Sequence, residues 1–354
     1  MRLRRLLPST AAVAVAFTVA VAVPGATALA LLTAATAGAT AGATASPSPT
    51  PSGFTISDPR IKESSGLAAS RIHPGVYWTH NDSDDGPYVY AVDSATGKTV
   101  ARVTMTGVGR PRDIEAISLG PDGQLYVGDI GDNLGGTWDH VWIYRFPEPK
   151  TLGDVTLKAE QFTVKYADGP RNAEALMVHP VTGRVYIASK DERAGGLYEG
   201  PETLSPSGTN TFRRIGDVPW VTDGAFSPDG ARLTLRGYLW AKTYPWKDGR
   251  PSGEGEAVAA PWQGQAESVT YSADGSTLMF GAEGANSRVV AVPVTPAPSA
   301  STSPAPSGAA QTPGAAAPPS THGGDFTKGA FVLVAATALT LAAKRILRRR
   351  PAKR

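Results

Sequence analysis

One phrase recurs five times along the middle of this chain: a small or acidic residue, a short apolar run, a turn built on Gly, and a second apolar run rich in β-branched and aromatic residues. The copies run from Ser65-Gly66-Leu67 through Gly75 to Val76-Tyr77-Trp78, and from Glu115-Ala116-Ile117 through Pro121-Asp122-Gly123 to Leu125-Tyr126-Val127. They continue from Glu174-Ala175-Leu176 through Gly183 to Val185-Tyr186-Ile187, and from Asp223-Gly224-Ala225-Phe226 through Pro228-Asp229-Gly230 to Leu233-Thr234-Leu235. The last runs from Glu267-Ser268-Val269 through Asp274-Gly275 to Leu278-Met279-Phe280. Their starts are spaced by 50, 59, 49 and 44 residues. A unit this small cannot bury its own apolar face, so successive units must stack on one another. Several short strands per unit with Asp-Gly turns make each unit a small antiparallel sheet, and radial repetition of such sheets is a propeller.

Each copy has room for four strands, in the first Ser65 to Ala68, Val76 to Thr79, Val89 to Val92 and Val100 to Val103. The fifth ends after its third strand, Arg288 to Val292, while Phe54-Thr55-Ile56 stands ahead of the first copy without a partner. An N-terminal strand that completes the last blade removes the edges an open ring would expose. The expected fold is therefore all-β, a β-propeller of five four-stranded blades closed by an N-terminal strand and spanning 53–294. A β-sandwich or solenoid uses the same turns, but the regular spacing favours the propeller.

Outside that block the composition changes. Three arginines precede an uncharged Ala- and Val-rich run, Ala11 to Val23, followed by small-residue sites near Ala28 and Ala30. This is the pattern of a secretory signal, expected over 1–30. A Pro-, Ser-, Thr- and Ala-rich linker follows over 31–52, and a similar stalk covers 295–328; neither carries enough large apolar residues to form a core. Residues 329–347 form a short apolar span with Lys and Arg behind it, so the positive-inside rule places the 348–354 tail in the cytoplasm and the domain outside the cell membrane. The expected molecule is a single-pass, extracytoplasmic monomer.

Those tethers distort the charge. The chain holds 34 basic and 31 acidic residues, but eleven of the basic ones, and only Asp325 among the acids, belong to the terminal segments, which leaves 23 against 30 in the middle. The folded part is acidic, and nucleic acid is excluded as a partner. The absence of cysteine excludes disulfides, thiol catalysis and thiolate metal sites. No Gly-x-Ser-x-Gly elbow supports serine hydrolysis.

The turns Pro121-Asp122-Gly123, Ser227-Pro228-Asp229-Gly230 and Ser272-Ala273-Asp274-Gly275 resemble those of bacterial propellers that include lactonase-like, phytase-like and esterase-like members. Glu63-Ser64-Ser65-Gly66-Leu67 and Gly128-Asp129-Ile130-Gly131-Asp132-Asn133 are similar to segments of exported actinobacterial propellers that generally lack a known activity. The resemblance covers 54–294 and implies the fold; it also implies a bound Ca²⁺ in the phytase-like and lactonase-like branches.

Propeller topology sorts the acids onto one face. Glu115, Glu174 and Glu267 head innermost strands at matching places, with Asp223 offset by one and Glu63 by two. Loops at the same end hold Asp82, Asp84, Asp85, Asp129, Asp132, Asp191, Glu192 and Glu283. Converging carboxylates are the hard oxygen donors that Ca²⁺ takes, and Glu115, Glu174, Glu267, Asp129 and Asp132 are the expected ligands. The other reading has these acids cap backbone N–H groups or pair with Arg112 and Arg171, each three residues before a Glu. His80, at the end of a second strand on this face, is the one histidine worth testing. Trp138, Trp142, Trp220, Tyr238, Trp240, Trp246 and Trp262 serve either as a stacking rim or, as strand aromatics usually do, as packing between blades.

Two functions follow. The first is a non-enzymatic binding or scaffold module whose acidic channel face engages a protein or small-molecule ligand outside the cell. The second is a Ca²⁺-dependent hydrolase of phosphorylated, ester or lactone substrates. The latter needs a basic cluster beside the acids, and Arg112, Arg171, Lys190, Arg193, Arg236 and Lys242 are scattered along the sequence.

Overall fold

The computed structural model describes residues 51–294 apart from 83, 84, 192 and 194. The signal segment, linker residues 31–50, the stalk, the span and the basic tail lie outside the described residues, as do Asp84 and Glu192. Among the described residues every regular element is a β-strand, and no helix is long and apolar enough to cross a membrane.

After β1 (Phe54–Thr55), the first repeat forms β2 (Ser64–Ala69), β3 (Val76–Asn81), β4 (Tyr88–Asp93) and β5 (Thr99–Thr106), an antiparallel meander. The second forms β6 (Ile114–Leu119), β7 (Gln124–Asp129) and β8 (Val141–Pro147), followed by β9 (Val155–Lys158) and β10 (Glu160–Tyr166). The third forms β11 (Ala173–Val178), β12 (Val185–Ser189), β13 (Gly196–Glu199) and β14 (Thr209–Asp217). The fourth forms β15 (Asp223–Phe226), β16 (Arg232–Arg236), β17 (Ala241–Lys247), β18 (Arg250–Pro251) and β19 (Glu256–Ala257). The fifth forms β20 (Ala266–Tyr271), β21 (Thr277–Ala282) and β22 (Arg288–Pro293).

The turn glycine of the repeat has a physical reason. Gly75, Gly123, Gly183, Gly230 and Gly275, each between the first and second strands of its unit, have φ of 78°, 70°, 71°, 71° and 73°, a left-handed conformation that disfavours any side chain with a Cβ. Burial follows position in the sheet. β3, β11 and β20 are buried at every residue because both faces are covered, whereas the more peripheral β5 alternates between buried and partly exposed positions.

The innermost strands are adjacent in cyclic order: β2 packs beside β6, β6 beside β11, β11 beside β15, β15 beside β20, and β20 beside β2. All five line one cavity of about 70 Å³ toward the turn-bearing end, through Leu67, Ile117, Val178, Gly224 and Thr270 among others. Five apolar clusters fill the spaces between consecutive units. One joins Trp78 and Val103 to Ile117 and Tyr144; at the far side of the ring another joins Phe54, Ile56, Met279 and Val289 to Leu67, Tyr77 and Tyr90. The fold is all-β and propeller-like. β1 pairs antiparallel with β22, Phe54 opposite Val289 and Thr55 opposite Arg288, so the N-terminal strand sits on the sheet of the last repeat.

The outer edges hold a feature absent from the repeat. β9 pairs parallel with β5 of the first unit, and one residue later β10 takes the fourth place in the second unit and pairs parallel with β14 of the third. One stretch of chain thereby stitches three units together at their rims, covering edges that would otherwise present open N–H and C=O groups.

Candidate functional site

The carboxylates gather at one end of the ring because of a local irregularity in the innermost strands. In β6 the pairing jumps from Ile114↔Asp129 to Ala116↔Gly128, so Glu115 is an extra residue with no partner in β7. The same jump leaves Glu174 extra between Ala173↔Ser189 and Ala175↔Ala188, and Glu267 extra between Ala266↔Ala282 and Ser268↔Gly281. A β-bulge re-aims the inserted side chain out of the alternating pleat. β15 has no such jump: Asp223 pairs with Arg236 and Gly224 with Leu235. Asp223 is accordingly used inside the structure, accepting from Gly224 N at 2.7 Å and from Val269 N of the next unit at 2.8 Å.

The three glutamates are all buried, at 3%, 2% and 5% exposure for Glu115, Glu174 and Glu267. Glu174 has its countercharge in Lys190, 2.7 Å away, whose ammonium also donates to the Tyr238 hydroxyl at 3.0 Å. Burial works against the Lys190 charge, but Glu174 and Glu267 outweigh it and hold its pKa well above the usual lysine value. Glu267 has no hydrogen-bond partner at Oε2, and burial pushes its carboxyl up to about 8 against the opposing pull of Lys190. Tyr238 packs edge-on to Trp220, with ring centroids 5.5 Å apart.

Glu115 lies on the other side of the mouth. Its carboxylate, that of Asp113 just before β6 and that of Asp82 in the loop after β3 each place an oxygen within 4.8 Å of the others. Burial raises the pKa of both Asp82 and Glu115 well above the carboxylate range, and the neighbouring acids raise them further. Asp82 and Asp113 come from different repeats, and it is the packing of β2 against β6 that brings them together.

Asp129 and Asp132 stand apart from this group. Asp129 accepts from the backbone N–H groups of Arg112 and Asp113 and from the Tyr144 hydroxyl at 2.6 Å. Asp132 accepts from Trp138 N at 2.6 Å and from the Thr137 hydroxyl. Asp129 thus fixes the backbone that carries Asp113, while Asp132 folds its own loop. Neither Arg112 nor Arg171 pairs with Glu115 or Glu174, although Arg112, with Arg110, lines the hollow beside Asp82 and Asp113. The Arg112 guanidinium is stacked between Trp138 and Trp142, at 3.9 and 3.8 Å from the ring centroids, and Arg171 pairs with Asp168 at 2.9 Å. Arg236, fully buried, donates to the carbonyls of Ser268 and Gly281 and to Gln263.

His80 is fully buried behind the mouth. Its Nδ1 donates to the Asn81 carbonyl at 3.0 Å, which leaves Nε2 as a bare acceptor with no partner. Gly66 makes room for it: a Cβ at Gly66 would stand 2.6 Å from that nitrogen. Burial lowers the His80 pKa to about 4. Among the aromatics, Trp246 packs with Tyr186, Phe226 and His179 between units, and Trp262, in the loop before β20, is 68% exposed.

Fold and site together define an all-β, propeller-like protein with a buried, acid-rich channel mouth. No protein-family model matches the chain, and no curated protein matches it. Among solved structures it is similar to the PQQ-bound aldose sugar dehydrogenase of Streptomyces coelicolor, with a TM-score of 0.39 and 13% identity over 69% of this chain and 99% of that one. It is also similar to a chain of a mitotic checkpoint complex, with a TM-score of 0.36 and 13% identity over 65% of this chain and 63% of that one.

Proposed function

We propose that the five units are the blades of a closed propeller, and that this propeller is a binding module held outside the cell membrane that engages a macromolecular partner at its acidic mouth. The observation that carries this reading is the shape of the molecule around the acids. The cavity of about 70 Å³ between the innermost strands lies at the opposite, turn-bearing end, and the hollow beside Asp82 and Asp113 holds about 40 Å³. Pockets that enclose small substrates run from roughly 300 to 1,000 Å³. Among the described residues neither hollow reaches that size; a charged surface of this kind suits a partner that covers it, and the exposed Trp262 in the adjoining loop supplies the kind of aromatic anchor that interfaces use. The basic flanks of the terminal apolar runs support the extracytoplasmic placement.

The hydrolase reading has one observation in its favour: Lys190 is a buried cation beside Glu174, Tyr238 and Glu267. Photo-crosslinking separates the two. A photoreactive residue at position 262 of the full chain, in cells that produce it, should capture a defined exported partner, and Glu267→Lys should abolish the capture. Absence of a crosslink together with turnover of generic esters or phosphates would replace the binding reading by the hydrolase; absence of both would defeat it.

A further inference from the structure

The mouth is not uniform, and its two sides have solved their charge problem differently. On one side Glu174 meets the Lys190 ammonium. On the other, Asp82, Asp113 and Glu115 converge on each other, and three observations there are independent.

The first is the donor set. Every group that offers a ligand atom at the convergence is a carboxylate, the oxygen atoms lie within 4.8 Å of one another, and Asp113 and Glu115 are buried. Neither nitrogen nor sulfur contributes, which suits a hard cation and disfavours zinc. The second is an orphan. Asp82 Oδ1 is enclosed without solvent contact and no amide, hydroxyl or cationic group donates to it; the side chain that Asp82 meets is that of Asp113, another carboxyl, a costly state for a carboxylate oxygen. Its neighbours are otherwise engaged in holding their own positions: Asn133 donates to Asp113 Oδ2 at 2.8 Å, and the Ser65 hydroxyl lies 3.3 Å from Glu115 Oε2.

The third observation is the cradle opposite the acids. Gly131 does not have a positive φ, so its backbone conformation would accept a side chain. Space is what forbids one: a Cβ there would stand 2.6 Å from Asp113 Oδ2 and 2.6 Å from Glu115 Oε1. The backbone of the loop after β7 is therefore brought up against both carboxylates, and Asp129 pins the facing segment through Arg112 N and Asp113 N.

We infer that Asp82, Asp113 and Glu115 form a binding site for one divalent cation, with Ca²⁺ the best match, at the seam between the first two units. The loop carrying Asp82 and the segment carrying Asp113 supply mono- or bidentate carboxylates at adaptable angles, and water completes a Ca²⁺ shell of six to eight oxygens at about 2.3 to 2.6 Å. Mg²⁺ demands a stricter octahedron and binds more weakly there. The site goes beyond the binding reading: the cation ties Asp82 of one unit to Asp113 and Glu115 of the next whether or not a partner covers the mouth.

Calorimetric titration of the metal-stripped full-length chain in detergent with CaCl₂ alone tests this. The expected result is one Ca²⁺ per chain, bound at least tenfold more tightly than Mg²⁺. Asp113→Asn and Glu115→Gln should each weaken Ca²⁺ binding at least tenfold, Gly131→Ala should do so without removing a ligand, and Glu160→Gln, in the rim strand β10, should leave it within about twofold. Circular dichroism identifies any variant that fails to fold; the wild-type stoichiometry and the Asp82→Asn variant, altered only in a loop, then decide. Absence of Ca²⁺ binding to wild type, or binding that survives Asp82→Asn and Asp113→Asn combined, would overturn the site. Neither outcome bears on the crosslinking result, so the two readings fail separately.

Discussion

Asp223 Oδ2 accepts the backbone N–H of Val269 at 2.8 Å, from the innermost strand of one unit to the innermost strand of the next. The same device recurs as Ser118 Oγ accepting from Val178 N at 3.1 Å, and in another form as Thr222 Oγ1 donating to the Ala266 carbonyl at 2.8 Å. Innermost strands have one free edge, and side chains of the preceding unit satisfy part of it. Losing the acceptor leaves a buried N–H unpaired, which costs about 1–3 kcal/mol. Asp223→Ala should therefore destabilise the protein by about 2 kcal/mol and Asp223→Asn, which keeps one acceptor oxygen, by less. Urea denaturation of both variants checks this; equal stability of wild type and Asp223→Ala would show that the contact contributes nothing.

Closure of the ring depends on a two-residue strand. Phe54 is buried against Tyr77, with ring centroids 5.4 Å apart, and Ile56, just beyond β1, is 1% exposed. Truncating a buried Phe or Ile costs about 2–5 kcal/mol each, and deletion also removes the β1–β22 ladder. Deleting residues 54–58 should cost more than about 5 kcal/mol, far beyond an ordinary terminal trim. An unchanged melting temperature after the deletion would show that the last sheet stands without its N-terminal strand.

The strands of the repeat were legible in the sequence because each turn needs a left-handed glycine and each strand a run of apolar residues, and both leave plain marks at Gly123 or Val185–Ser189. The rim stitching was not, because it rests on parallel pairs 52 and 46 residues apart in sequence, at Thr104↔Thr156 and Tyr166↔Phe212. The glutamates could be aligned by eye, but only the register shows that Glu115, Glu174 and Glu267 are bulged and Asp223 is not. Arg171 looked a natural partner for Glu174, yet three residues of extended chain span about 10 Å. Lys190 was the better candidate by hairpin arithmetic, since Ser189 stands opposite Ala173. The meeting of Asp82 with Asp113 joins two repeats, and no local pattern announces it.

His80 should make the protein acid-sensitive. Its pKa is about 4 in the fold against 6.5 when exposed, because burial disfavours the imidazolium. Below pH 6.5 the unfolded chain takes up a proton that the folded chain refuses, so stability falls as pH drops from 6.5 to 4 and levels off below. The shift corresponds to about 3 kcal/mol. Thermal melts of wild type and His80→Gln across that window should diverge by this order, with the variant showing the shallower decline. Parallel profiles would mean that Nε2 gains a proton-accepting partner on protonation.

Glu267 should act in the opposite sense on the alkaline side. Its carboxyl is buried with Oε2 unpartnered, and its pKa is raised from 4.5 to about 8, burial being the main cause, with Glu174 and Glu283 adding to it and Lys190 opposing. Below pH 4.5 both folded and unfolded chains hold the proton and the contribution is fully present. Between pH 4.5 and 8 the unfolded chain has released its proton and the folded chain has not, so each pH unit removes up to about 1.4 kcal/mol. Glu267→Gln keeps the shape and hydrogen-bonding capacity of the neutral acid and does not titrate. With chelator present, so that no cation intervenes at Glu115, the variant should gain on wild type by several kcal/mol between pH 5 and pH 8, read from urea denaturation at each pH. Lys190 offers a sharp alternative. If its ammonium, already shared by Glu174 and Tyr238, holds Glu267 ionised at neutral pH, Glu267→Gln removes a needed countercharge, and the variant will be the less stable protein at pH 8. The sign of that difference at pH 8 therefore decides whether Glu267 sits in the mouth as a neutral acid able to donate a hydrogen bond, or as one more anion paired with the single lysine.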